Sequence, residues 1–112
     1  MAYRKLDNII KKKIISILVN AGAKRIGIFG SFANGTANST SDIDILVEFF
    51  KRKSLLELVS IERELSESIG RKIDLLTEKS ISPYLIDKIK SEERIIYESD
   101  FAGSDLLSEP DI

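Results

Sequence analysis

Three aspartates and one Gly-Ser pair carry whatever chemistry this chain performs. Asp42 and Asp44 occupy alternate positions in the otherwise apolar run Asp42-Ile43-Asp44-Ile45-Leu46-Val47, and Asp74 stands alone in Lys72-Ile73-Asp74-Leu75-Leu76. Carboxylates set among apolar residues are costly unless a cation compensates them. Upstream, Arg25-Ile26-Gly27-Ile28-Phe29 runs into Gly30-Ser31, and ten residues separate Ser31 from Asp42. Together these parts read as a divalent-metal site beside a phosphate-binding turn. Mg²⁺ prefers hard oxygen ligands and keeps substrate phosphates in its shell. Two carboxylates on one strand face can bridge a pair of such ions about 3.5–4 Å apart. Gly30 lets a phosphate approach the backbone without a Cβ in the way, and free N–H groups at a strand-to-helix turn favour an anion. The Ser31 hydroxyl can donate to a phosphate oxygen. The chemistry that uses all of these is nucleotidyl transfer, in which a hydroxyl attacks the α-phosphorus of a bound triphosphate and pyrophosphate leaves. Asp74 could ligate the metal that activates the hydroxyl and take its proton.

Each part alone has a plainer reading. Turns use Gly-Ser constantly, Asp-x-Asp is often a solvated edge strand, and a single Asp is often a surface or pairing residue. It is the joint arrangement that is uncommon.

Composition narrows the chemistry further. The chain has neither Cys nor His, which excludes thiol catalysis, histidine bases and zinc sites built on those ligands. Any catalysis rests on carboxylates, hydroxyls, Lys, Arg, Tyr and a metal bound through oxygen. A length of 112 residues predicts one small domain, and the hydrophobic content of 43% supplies a modest core. A net charge of −1 argues against direct binding of long nucleic acid. No apolar run approaches the ~20 residues of a membrane span, and the N-terminus lacks a signal-peptide pattern, so a soluble, cytoplasmic protein is the expectation. Charge is uneven: residues 1–25 hold seven Lys and Arg against Asp7, whereas the segment from Glu98 onward holds five acids and no base. Ends of opposite sign suggest a partner surface or an intramolecular attraction, or simply a solvated helix face and a polar tail.

The elements that must position the aspartates follow from periodicity. Leu6, Ile9, Ile10, Ile14, Ile17 and Leu18 predict an amphipathic helix over 4–20, stopped near Gly22. Strands are expected at 25–29 and 42–48, with the Gly-Ser turn, a short helical turn through Ala33, Asn34-Gly35 and a polar loop between them. Ser54 and Glu57 have capping-box spacing. Leu55, Leu58, Ile61, Leu65 and Ile69 make the stripe of a second long helix, ended by Gly70. A third strand covers 72–76. Ser82-Pro83 starts a third helix, with Leu85, Ile86 and Ile89 inward, and Arg94 to Tyr97 read as a last strand. The 31–41 link is short for a parallel crossover, so a mixed sheet packed by helices is expected, an α+β domain over 1–97 followed by an acidic tail over 98–112. In a strand, i and i+2 share a face. Asp42 and Asp44 therefore oppose Ile43, Ile45 and Val47, and Asp74 joins them if its strand lies alongside.

Gly30-Ser31, ten residues, then Asp42-Ile43-Asp44, extended by Phe32, Ala33 and Gly35, resembles the signature of the minimal nucleotidyltransferases in the DNA polymerase β-like superfamily. The resemblance runs from about residue 4 to 97. The family commonly has Arg where this chain has Asn34, and Asn cannot replace that charge. The resemblance implies a polymerase β-like core, Mg²⁺ held by Asp42, Asp44 and Asp74 (two ions), and ATP as nucleotide donor with its triphosphate at Gly30 and Ser31. It also implies a small helical HEPN-type toxin as partner, with this chain the antitoxin that transfers AMP to a toxin Tyr hydroxyl. The alternatives within the same resemblance are a small-molecule transferase of the antibiotic-modifying type, or an antitoxin that neutralises by binding alone. In so short a chain, an acceptor site needs a partner or a homo-oligomer interface.

Overall fold

The computed structural model describes residues 8–30 and 42–99. Within them the chain runs α1 (Asn8–Asn20), β1 (Ala23–Phe29), β2 (Ile43–Phe49), α2 (Leu55–Ile69), β3 (Ile73–Leu76), a 3₁₀ turn (Glu78–Ser80), α3 (Pro83–Glu92) and β4 (Arg94–Glu98). Both connection types expected from link lengths are present. β1 and β2 are antiparallel. β2 and β3, joined through α2, are parallel. With β4 antiparallel to β1, the sheet order is β3-β2-β1-β4.

Local signals set the element ends. At the start of α2 the Ser54 hydroxyl accepts from the Glu57 N–H at 3.1 Å, and the Ser54 N–H donates to the Glu57 carboxylate at 2.8 Å. This reciprocal cap satisfies two donors the helix cannot. Gly70 ends α2 at φ 77°, a left-handed conformation, and donates to the Ser66 carbonyl. Ser82 caps α3, with Pro83 at its first position.

The alternating residues of β2 divide as expected. Ile43, Ile45 and Val47 are buried with Ile26 and Ile28 of β1 and Ile73 and Leu75 of β3, under Ile14 and Leu18 of α1 and Leu65 of α2. The ends of the predicted stripes depart from this. Ile9, Leu55 and Leu85 are 66%, 75% and 52% exposed, each in the first turn of its helix. Leu46 departs in the other direction. It shares the face of Asp44 yet is 4% exposed, since that face is covered at its far end by the 3₁₀ turn and α3. Residues 4–7 of the predicted first helix and the predicted turn through Ala33 lie outside the described residues. So does most of the 98–112 tail; β4 itself reaches Glu98, and the Ser99 N–H donates to the Lys24 carbonyl at 2.8 Å. No helix among the described residues is long and apolar enough to cross a membrane.

Candidate active site

Asp44 and Asp74 meet because β2 and β3 are parallel and in register. Ile43 pairs with Ile73, Asp44 with Asp74 and Ile45 with Leu75. Directly paired residues point to the same face, so the same alternation that buries the isoleucines brings the two carboxylates together on the opposite side. Burial pushes Asp44 up to about 6, the neighbouring side chain and charge of Asp74 and the charge of Asp42 add to it, and Lys72 pulls the other way.

Asp42 immediately precedes β2, and its charge is felt at Asp44. Its carboxylate lies 3.8 Å from Lys72 Nζ in a half-exposed ion pair. Among the described residues no three acidic side chains stand at metal-ligand spacing. The three predicted carboxylates thus divide into a register pair, Asp44 and Asp74, and a neighbour paired with a lysine.

Gly30 ends β1 beside this pair. Phe29 is the register partner of Asp44, and Gly30 follows at φ 73°. A Cβ at Gly30 would stand 2.3 Å from Asp44 Oδ2. Two separate requirements therefore demand glycine here, the left-handed backbone and the close approach of the carboxylate. Only the openness of the backbone was legible from sequence. Ser31 and Asn34 lie outside the described residues.

Two contributors escaped the sequence reading. Lys72 pairs with Asp42 and its charge is felt at Asp44, and the Ile43 N–H donates to the Lys72 carbonyl at 3.0 Å beside them. Glu62 of α2 accepts a hydrogen bond from the Leu75 N–H at 2.9 Å. Among the described residues β3 is an edge strand, and that N–H has no strand partner there. Glu62 satisfies it one residue from Asp74 and ties β3 to α2. Nothing in the spacing of Glu62 announces this role.

The aspartate-bearing face continues toward β4 as a second charged group. A Cβ at Gly27 would collide with the Glu93 carboxylate, so the missing side chain makes room for Glu93, whose own side chain is 3% exposed. Arg25 pairs with Glu93 at 3.4 Å and lies 3.9 Å from Glu98. Burial pushes Glu93 up despite Arg25 and Lys90. This group joins α3 and β4 to β1 and occupies Arg25, which is therefore not free to serve the aspartates.

A mixed four-stranded sheet with α1 and α2 over one face and the aspartates on the other is a nucleotidyltransferase core. The family model described as polymerase beta, nucleotidyltransferase matches residues 12–102, and the chain belongs to that family. It is 54% identical over 85 residues to "Putative protein adenylyltransferase MJ0435" of Methanocaldococcus jannaschii, covering 76% of this chain and 91% of the relative. A crystal structure of a toxin–antitoxin with AMP-PNP superposes with a TM-score of 0.72 at 24% identity, covering 80% of this chain and 74% of that one. A tri-AMPylated Shewanella oneidensis HEPN toxin in complex with its MNT antitoxin superposes at 0.69 with 20% identity, covering 91% and 79%. At these identities the two structures establish the shared fold.

Proposed function

We propose that this chain is a protein adenylyltransferase that moves AMP from ATP to a tyrosine hydroxyl of a HEPN-type partner and so acts as its antitoxin. The observation that carries the reading is the Asp44–Asp74 pair beside the left-handed Gly30. The relatives support it: one is named for adenylyltransferase activity, and one structure of the same fold holds an AMPylated HEPN toxin beside its antitoxin.

The donor set suits Mg²⁺. Asp42, Asp44 and Asp74 offer only hard anionic oxygens, which select Mg²⁺ over soft metals. Burial, and after it the neighbouring carboxylates, raise the pKa of Asp44 to about 6, and a divalent cation offsets both. The exposed Lys72–Asp42 pair is weak enough to yield Asp42 at little cost. When bound, the ions neutralise charge on the triphosphate and lower the pKa of the attacking hydroxyl.

The chain's own residues do the rest. Gly30 and Ser31 bind phosphate oxygens through backbone N–H and hydroxyl. Asp74 takes the proton of the acceptor hydroxyl as its oxygen bonds to the α-phosphorus. The bond to the β-phosphate breaks, and pyrophosphate departs. Glu62 keeps Asp74 in register with Asp44. The reaction draws on ATP and carries a cytoplasmic location with it.

Parallel incubations of chain and partner with ATP labelled at the α- or the γ-phosphorus test the reaction class. Label in the partner from the α position alone is the expected result. Label from the γ position would make the chain a kinase, and label from neither would make it an antitoxin by binding alone.

A further inference from the structure

At the other end of β2 the molecule carries a second surface. The parallel strands β2 and β3 both end there, and their exits frame a groove of about 530 Å³. Lys51, Arg52, Lys53 and Lys79 line it, along with two acids, Glu48 and Glu78. Both acids are already paired with lysines: Glu48 with Lys24 at 3.8 Å and Glu78 with Lys90 at 2.7 Å. Lys53 lies over the Phe49 ring, 5.4 Å from its centre. Lys51, Arg52 and Lys79 have no acidic partner among the described residues. In a chain with a net charge of −1, this is a local concentration of uncompensated positive charge.

Exposed apolar residues follow the groove-lining Lys53 closely in the chain, flanking Leu58, which also lines it. Leu55 and Leu56 follow Ser54 in the chain and are 75% and 81% exposed, and Val59, one turn on, is 48% exposed. Spacings of three and four residues place Val59 beside both leucines on the surface of α2. Large apolar side chains grouped beside polar ones mark protein interfaces. They do not suit nucleic acid. The ring that could stack a base, Phe49, packs against the core and is covered by Lys53.

We propose that this end of the molecule docks the acceptor protein, through an acidic surface on that protein carrying leucine-sized apolar side chains. The inference rests on the protein-acceptor reading above and adds where the acceptor is held. Asp44 lies five residues from Phe49 along β2, about 16 Å at the usual rise of a strand. Docking and chemistry are thus separate sites on one protein.

The test measures binding of the full chain to its HEPN-type partner by calorimetry. Lys51→Glu/Arg52→Glu/Lys79→Glu is expected to weaken binding at least tenfold, and Leu55→Ser/Leu56→Ser to weaken it severalfold. Melting temperature and titration of a fluorescent ATP analogue are expected to be unchanged in both. Wild-type affinity is expected to fall with salt. Zero-length carbodiimide crosslinking of the complex should join Lys51, Lys53 or Lys79 to Asp or Glu of the partner. Unaltered affinity in both variants, or no wild-type binding, overturns the proposal. So do crosslinks that run only to Asp105, Glu109 or Asp111 of the same chain or a second copy, and so does a single-stranded RNA bound in place of the partner with the same charge-reversal sensitivity. A partner that binds through the groove yet gains no AMP overturns the transferase reading and leaves the docking site standing.

Discussion

Asp44 and Asp74 are direct register partners in adjacent parallel strands, with their side chains on one face. Burial first, and the neighbouring carboxylates second, raise the pKa of Asp44, so a proton or a cation is favoured there. The arrangement costs stability in the metal-free protein and is expected to be maintained for what it binds.

Removing that repulsion should stabilise the metal-free chain. Asp44 has its folded pKa raised from 3.8 to about 6. Its titration therefore contributes stability that is present below about pH 4 and is lost as pH rises through about 6. Asp44→Asn keeps a hydrogen-bond donor for Asp74 and removes the charge. In EDTA at pH 7 the variant should melt higher, by about 1 kcal/mol after discounting for solvent around a half-buried group, or several degrees in a domain of this size. The gap should shrink toward pH 4. Adding Mg²⁺ should raise the melting temperature of the parent and not of the variant. Thermal melts across pH, with and without Mg²⁺, check both statements.

Gly30→Ala should damage the site more than the fold. The new methyl would meet Asp44 Oδ2 at 2.3 Å, and an L-residue at φ 73° costs about 1 kcal/mol more than glycine. The Asp44 carboxylate must shift to make room. Transfer should fall by two orders of magnitude or more, while the melting temperature drops by no more than about 10 °C. Transfer assays beside thermal melts measure both. Retained transfer would show that the close approach of Gly30 to Asp44 is unimportant.

Glu62 is a positioning residue. Glu62→Ala leaves the Leu75 N–H without its acceptor at the sheet edge, a loss of about 1–2 kcal/mol. Because Leu75 follows Asp74, transfer should fall severalfold through the catalytic rate, with the KM for ATP little changed. Glu62→Gln retains an acceptor oxygen and should recover most of both. Failure of Gln to rescue would mean that the charge of Glu62, rather than its hydrogen bond, matters.

Much of this was legible in the chain because the relevant signals are local. Strand alternation alone puts Asp44 opposite Ile43, Ile45 and Val47, and the structure separates them in that way. Capping residues at Ser54, Gly70 and Ser82 mark helix ends through hydrogen bonds that span a few residues. The short link before Asp42 argued against a parallel crossover there, and β1 and β2 pair antiparallel in a mixed sheet. What escaped is non-local or too short for periodicity. Glu62 reaches Leu75 across an element boundary, Lys72 finds Asp42 only once β2 and β3 pair, and the 3₁₀ turn that helps cover Leu46 spans three residues. The exposed Leu55 looked like a core residue because the stripe it opens is real; its place at the first turn puts it outside the core.

Intact-mass spectrometry of the HEPN-type partner, after incubation with the full chain, ATP and Mg²⁺, tests the central claim most directly. The partner should gain whole AMP units on tyrosine. The gain should vanish with EDTA and with either Asp44→Asn or Asp74→Asn, while each variant still binds the partner. A partner whose mass is unchanged by the parent chain, or is raised equally by both variants, would contradict the assignment of transfer to this pair of aspartates.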